Sequence, residues 1–140
     1  MATYALIIRV ASDCRIMVGK RGVIRFPRGW YLYIGSAKAG LRARLKRHLS
    51  QQKKLRWHID YVLAHPEVSL REIRVAERDI ECLTAQELLN AGLASVIKKG
   101  LGSSDCKCPS HLIHGAGALR AILQSLSRLG FSPYRAGSHA

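Results

Sequence analysis

The chain has 140 residues, 48% of them apolar, which is enough for one buried core and too little for two, so a single domain is the default. Its 23 Lys and Arg stand against nine Asp and Glu, and the formal net charge of +14 exceeds what solubility asks of a small domain and points to a polyanionic partner. No apolar stretch approaches the roughly 20 residues that span a bilayer, and the start lacks the basic, apolar and small-residue regions of a signal peptide, so a cytoplasmic protein with no membrane role is expected.

In chain order, Tyr4 to Val10 is a short apolar run rich in Ile and Leu and reads as a buried strand. Cys14 to Val18 and Val23 to Phe26 flank Gly19-Lys20-Arg21-Gly22, a hairpin turn in which glycine supplies positive φ. A Pro27-Arg28-Gly29 turn leads into an aromatic strand from Trp30 to Ser36. From Leu41 to about Gln51 the period becomes helical, with Leu41, Leu45 and Leu49 on one face, Arg44 and His48 along its edge, and Arg42, Lys46 and Arg47 toward solvent. A shorter helix from Trp57 to His65 stops at Pro66, Leu70 to Val75 reads as a strand, and Asp79 is a plausible N-cap for a helix running to Asn90-Ala91-Gly92. Lys98 to His114, with Gly100, Gly102 and Pro109, reads as a functional loop. Leu119, Ile122, Leu123, Leu126 and Leu129 then mark one face of an amphipathic helix, and Pro133 to Ala140 read as a weakly anchored tail.

Glu81 is the most informative acid, because it falls on the apolar side of its helix, where a carboxylate is costly unless paired, protonated or bound to a metal. Tyr4 and Tyr33 taken singly are ordinary strand tyrosines with a hydrogen-bonded hydroxyl. Arg44 beside His48, taken alone, is equally a solvated helix edge. The basic cluster Arg42, Lys46, Arg47, Lys53, Lys54 and Arg56, with Lys38 ahead of it, is the candidate nucleic-acid surface.

Considered jointly, these positions resemble the GIY-YIG nuclease superfamily. Tyr4 stands in the first motif, as Ala2-Thr3-Tyr4 where the family usually has Gly-Ile-Tyr; Tyr33-Ile34-Gly35 supplies the second, followed by Arg44 and His48 on the next helix and Glu81 on a later one. More closely, the chain up to His111 is similar to a GIY-YIG-related domain family whose members occur alone or joined to an endonuclease III-like protein. The residues that carry this are Phe26-Pro27-Arg28-Gly29, Tyr31-x-Tyr33-Ile34-Gly35-Ser36-Ala37, Trp57-His58-Ile59-Asp60-Tyr61, Glu81-Cys82, and the run from Gly102 to Leu112. The resemblance implies an α+β domain over residues 1–132, a small mixed or antiparallel sheet flanked by helices. An extra N-terminal hairpin accounts for the long interval between Tyr4 and Tyr33, a C-terminal amphipathic helix closes the domain, and residues 133–140 are a flexible tail.

The resemblance further implies phosphodiester hydrolysis on DNA, in repair or defence, with Tyr4, Tyr33, Arg44, His48 and Glu81 as the catalytic set. One divalent cation, magnesium or manganese, would be held by Glu81. Arg44 would stabilise charge on the phosphoryl oxygens, and Tyr4, assisted by Tyr33 or His48, would orient or deprotonate water. The alternative is a non-catalytic nucleic-acid-binding module of the same fold that works with a partner repair enzyme; the asparagine that often orders the nuclease site has no counterpart here. Cys82, Cys106, Cys108 and His111 admit three readings: a zinc site, reduced thiols packed near the active site, or redox chemistry. Reduced thiols are the expectation for the four cysteines.

Overall fold

The computed structural model describes residues 1–102 and 110–135. Its elements in chain order are β1 (Ala2–Val10), β2 (Cys14–Met17), a single 3-10 turn (Gly19–Arg21), β3 (Val23–Phe26), β4 (Gly29–Ala37), α1 (Leu41–Leu49), α2 (His58–Leu63) and β5 (Val68–Ala76). There follow α3 (Glu81–Asn90), β6 (Ala94–Val96), β7 (Leu112–Gly115), α4 (Leu119–Arg128) and β8 (Ser132–Tyr134). This is an α+β fold: six strands in the order β6-β7-β4-β1-β5-β8 form an antiparallel sheet, and β2 and β3 form a separate hairpin.

β1 takes the centre because its run of apolar residues suits burial on both faces. Tyr4, Leu6, Ile8 and Val10 point into a core shared with Ile16, Ile24 and Phe26 of the hairpin, Leu45 of α1, and Ile59 and Val62 of α2. Ala5 and Ile7 alternate into a second core, built with Leu32 and Ile34 of β4, Leu88 of α3, and Ile122 and Leu126 of α4. The hairpin, α1 and α2 thus cover one face of the sheet, and α3 and α4 cover the other.

Several boundaries differ from the sequence expectation. The run read as a loop from Lys98 to His114 ends in β7, which pairs with β4 through Leu112 and Tyr33. Pro133 and Tyr134, assigned to the tail, form the edge strand β8 against Arg74 and Ile73. Proline lacks an N–H, so it is tolerated at a sheet edge. Asp79 is exposed, and the N-cap position of α3 is Ile80, with no side-chain cap. No helix among the described residues is long and apolar enough to cross a membrane.

Candidate functional site

At one end of the sheet the start of β1, the end of β4, α1, the start of α3 and the start of β7 converge. Tyr4 and Gly35 are direct partners across β1 and β4. Tyr4 is buried, at 1% exposure, and its hydroxyl lies 2.8 Å from Nε2 of His48, itself 3% exposed. The Tyr33 ring lies 6.3 Å from that of Tyr4 and 6.0 Å from that of His48. Arg44 donates from Nη1 to the Ser36 carbonyl at 2.7 Å, which holds its guanidinium beside the end of β4. Glu81, the first residue of α3, is close enough for its charge to act on both Tyr4 and Tyr33. The five predicted catalytic residues are therefore brought together.

The protonation pattern follows from burial. Desolvation pushes the Tyr4 hydroxyl up to about 12, partly opposed by the Arg44 charge and reinforced by Glu81 and Asp60. Burial likewise holds Tyr33 well above the usual phenol range. His48 is pushed down to about 4 by burial first and then by the charge of Lys53. At neutral pH the Tyr4–His48 pair is uncharged, with the hydroxyl donating to Nε2 when His48 carries its proton on Nδ1. Nδ1 is buried without a hydrogen-bond partner among the described residues.

Two side chains to which sequence reading gave no part in the site set this geometry. Thr3 is fully buried; its hydroxyl donates to the Arg78 carbonyl at 2.6 Å and accepts from the Ile80 N–H at 3.0 Å. It thereby ties the turn before α3 to β1 and fixes where Glu81 emerges. Trp57 lies under both Arg44, 5.0 Å from its ring centre, and Arg47, at 4.2 Å, with the His48 ring 5.8 Å away. Periodicity gives no warning of either, because both contacts join distant segments.

The predicted basic surface divides in two. Lys38, Arg42, Lys46, Lys54 and Arg56 are exposed. Arg47 is bonded to both carboxylate oxygens of the buried Asp60, at 2.8 Å each, and to the Lys54 carbonyl. Asp60 also accepts the N–H groups of Arg56 and Trp57, which close the entry to α2. Lys53 donates to the carbonyls of Arg47 and His48 at the end of α1, so it serves as a helix cap. Arg47 and Lys53 are thus engaged within the fold.

Cys82 and His111 meet, with Sγ 3.5 Å from Nε2, while Nδ1 of His111 lies 3.7 Å from Oε2 of Glu81. Cys82 is disulfide-bonded, which departs from the expected reduced thiol, whereas Cys14 is free. A bonded sulfur has no proton, so in that contact the His111 N–H is the donor. Cys106 and Cys108 lie outside the described residues. Among the described residues no group of three or more His, Cys, Asp or Glu is arranged to hold a metal ion. His58, beside the site, accepts the Gly102 N–H on Nδ1 at 2.9 Å, and a side chain at Gly102 would press on the Tyr33 ring at 3.2 Å.

A family model described as a domain of unknown function, DUF123, matches residues 3–130. No match was found among curated proteins or among solved structures.

Proposed function

The chain belongs to the DUF123 family, and we propose that it is a metal-dependent endonuclease of GIY-YIG type acting on DNA. The observation that carries this reading is the convergence of Tyr4, Tyr33, Arg44, His48 and Glu81 at one end of the sheet, four of them from separate elements, beside the exposed cations of α1 and the segment after it. In the tautomer with its proton on Nδ1, neutral His48 accepts the hydrogen bond of the Tyr4 hydroxyl and fixes its direction; with Tyr4 held up to about 12 and His48 down to about 4, the pair is suited to orient a water and not to deprotonate it. The always-charged Arg44, steadied by Ser36 and Trp57, is suited to charge growing on a phosphoryl oxygen.

Among the described residues no cluster of three or more metal-ligating side chains accompanies Glu81, which fits a magnesium-type ion that keeps water and substrate phosphate as its other ligands. Bound at Glu81, such an ion would polarise the phosphate and neutralise the leaving oxygen. Zinc at the cysteine loop is a separate reading and requires Cys82 to be reduced.

The second reading, a binding module without turnover that assists a partner repair enzyme, is favoured by the near-complete burial and high pKa of Tyr4. The deciding experiment is nicking of supercoiled DNA with magnesium or manganese, by wild type and Glu81→Gln, beside a binding measurement on the same preparations. Divalent-dependent nicking that Glu81→Gln abolishes supports the nuclease; binding without nicking supports the module.

A further inference from the structure

The β2–β3 hairpin has two faces of opposite character. Ile16, Ile24 and Phe26 are buried in the core beneath it. On the outer face, Arg15 pairs directly with Arg25, and Met17 pairs directly with Val23. Like charges placed directly opposite each other on a two-stranded ribbon repel and work against the hairpin. The acid in contact is Asp13, at 3.7 Å from Arg25, and both side chains of that pair are more than 60% exposed, so it relieves little. Met17 and Val23 are 59% and 57% exposed, the two most open large apolar side chains among the described residues. Folding alone gives no reason for this face.

The hairpin is also joined to the candidate site. At its tip Gly19 packs on Tyr61 of α2, and Arg21 donates to the Lys99 carbonyl, lies against Gly100 and acts on His58 by charge. His58 in turn holds Gly102, which abuts Tyr33. The hairpin, α2 and α1 cover the same face of the sheet, so their exposed sides look away from it together.

We propose that the outer face of the β2–β3 hairpin is a second nucleic-acid-binding surface, on which Arg15 and Arg25 contact phosphates of a duplex whose neighbouring stretch lies at the Tyr4–Glu81 site. A two-stranded ribbon matches the width of a duplex groove. Met17 and Val23 then meet apolar sugar or base-edge surface. The occupant is a duplex and not a single strand because the face carries no aromatic platform on which unpaired bases stack. This inference rests on the nucleic-acid reading of the site.

The test uses the full chain in four forms: wild type, Arg15→Ala with Arg25→Ala, Arg15→Lys with Arg25→Lys, and Arg42→Ala with Lys46→Ala on α1. Binding to a duplex is titrated across salt concentrations, and to anionic vesicles in parallel. The double alanine variant is expected to lower the log–log salt slope by about two and to weaken binding roughly tenfold or more. The lysine variant should keep the slope. The thermal midpoint of the alanine variant should stay the same or rise, since it loses a repulsive pair and no buried contact. Wild type and α1-dependent binding with an unchanged slope in the alanine variant would overturn the hairpin proposal alone. No duplex binding by wild type would overturn the nucleic-acid reading with it. Vesicle binding that depends on Arg15 and Arg25 without duplex binding would assign the face to membrane lipid and overturn the proposal.

Discussion

Tyr4 and Gly35 occupy one position in the sheet: a β-carbon placed on Gly35 would lie 2.5 Å from both the hydroxyl oxygen and Cζ of Tyr4. The glycine is needed for space and not for backbone freedom, since its φ is not in the left-handed region. Gly35→Ala should therefore push the Tyr4 ring away from His48. The cost of such overpacking is about 1–3 kcal/mol. A lower thermal midpoint, together with an altered His48 imidazole signal in nitrogen NMR, is the expected result; an unchanged midpoint would show that the ring has room to move.

The same pair shows what was legible in the sequence. β1, the hairpin, β4, α1, α3 and α4 follow from hydrophobic periodicity and from glycine at turns, and the candidate site residues come from the family resemblance that Tyr33-Ile34-Gly35 and Arg44 carry. The strands β6, β7 and β8 are three or four residues long and form because partners far away in sequence hold them. Arg47 has the helical phase of a surface residue, and what withdraws it from the surface is Asp60, thirteen residues on. No local pattern reports a contact of that kind, nor the one between Thr3 and Ile80.

Asp60→Asn should be among the most damaging single changes outside the proposed catalytic set. Burial alone would raise the Asp60 carboxyl, but the Arg47 guanidinium and the N–H groups of Trp57 and Arg56 outweigh it and hold it below the usual carboxylate range. The asparagine loses the charge that binds Arg47 and one acceptor oxygen, and breaking a buried pair in this way costs about 3 kcal/mol. Because the folded pKa is the lower one, this stabilisation is present above the unfolded value and is lost as pH falls through the folded one. Chemical denaturation of wild type and variant at pH 7 and at pH 3 should show the difference shrinking in acid.

His48 acts in the same direction at milder acidity. Its folded pKa of about 4 lies below the ordinary histidine value of 6.5, so below pH 6.5 the unfolded chain takes up a proton that the folded chain refuses. Stability should fall from about pH 6.5 to about pH 4 by an amount on the order of 3 kcal/mol, and level off below. Burial lowers His58, His111 and His114 as well, and these act with the same sign. His48→Gln should flatten part of this slope. An imidazole signal of His48 that titrates near pH 6.5 would show that the site admits charge, against this account.

The disulfide at Cys82 makes a countable prediction. One intramolecular disulfide leaves two of the four cysteines reactive when the chain is unfolded without reductant, and reductant should release the other pair. Four reactive thiols, with about one zinc per chain in the native protein, would instead assign the cysteine loop to a metal. Removing that zinc by chelation should then loosen the contact between His111 and α3.

Glu81→Gln separates binding from turnover. The amide is nearly isosteric, and the α3 entry is held by Thr3 through backbone groups that the change does not touch, so the fold and most of the DNA affinity should remain. What is lost is the proposed anionic metal ligand, and under the nuclease reading divalent-dependent strand cleavage should disappear. Arg44→Ala should also lose turnover, with some loss of affinity, because in the proposed mechanism a guanidinium at that position would meet phosphate in the ground state as well as in the transition state. Its removal further leaves the Ser36 carbonyl without that donor and takes one of two guanidinium groups from the Trp57 ring, so a modest fall in thermal midpoint should accompany it. Arg44→Lys, which keeps charge but not the planar fork, should recover affinity more than cleavage. Equal cleavage by wild type and Glu81→Gln would remove Glu81 as the metal ligand, and the Tyr4–His48 pair with Arg44 would then have to account for the reaction without it.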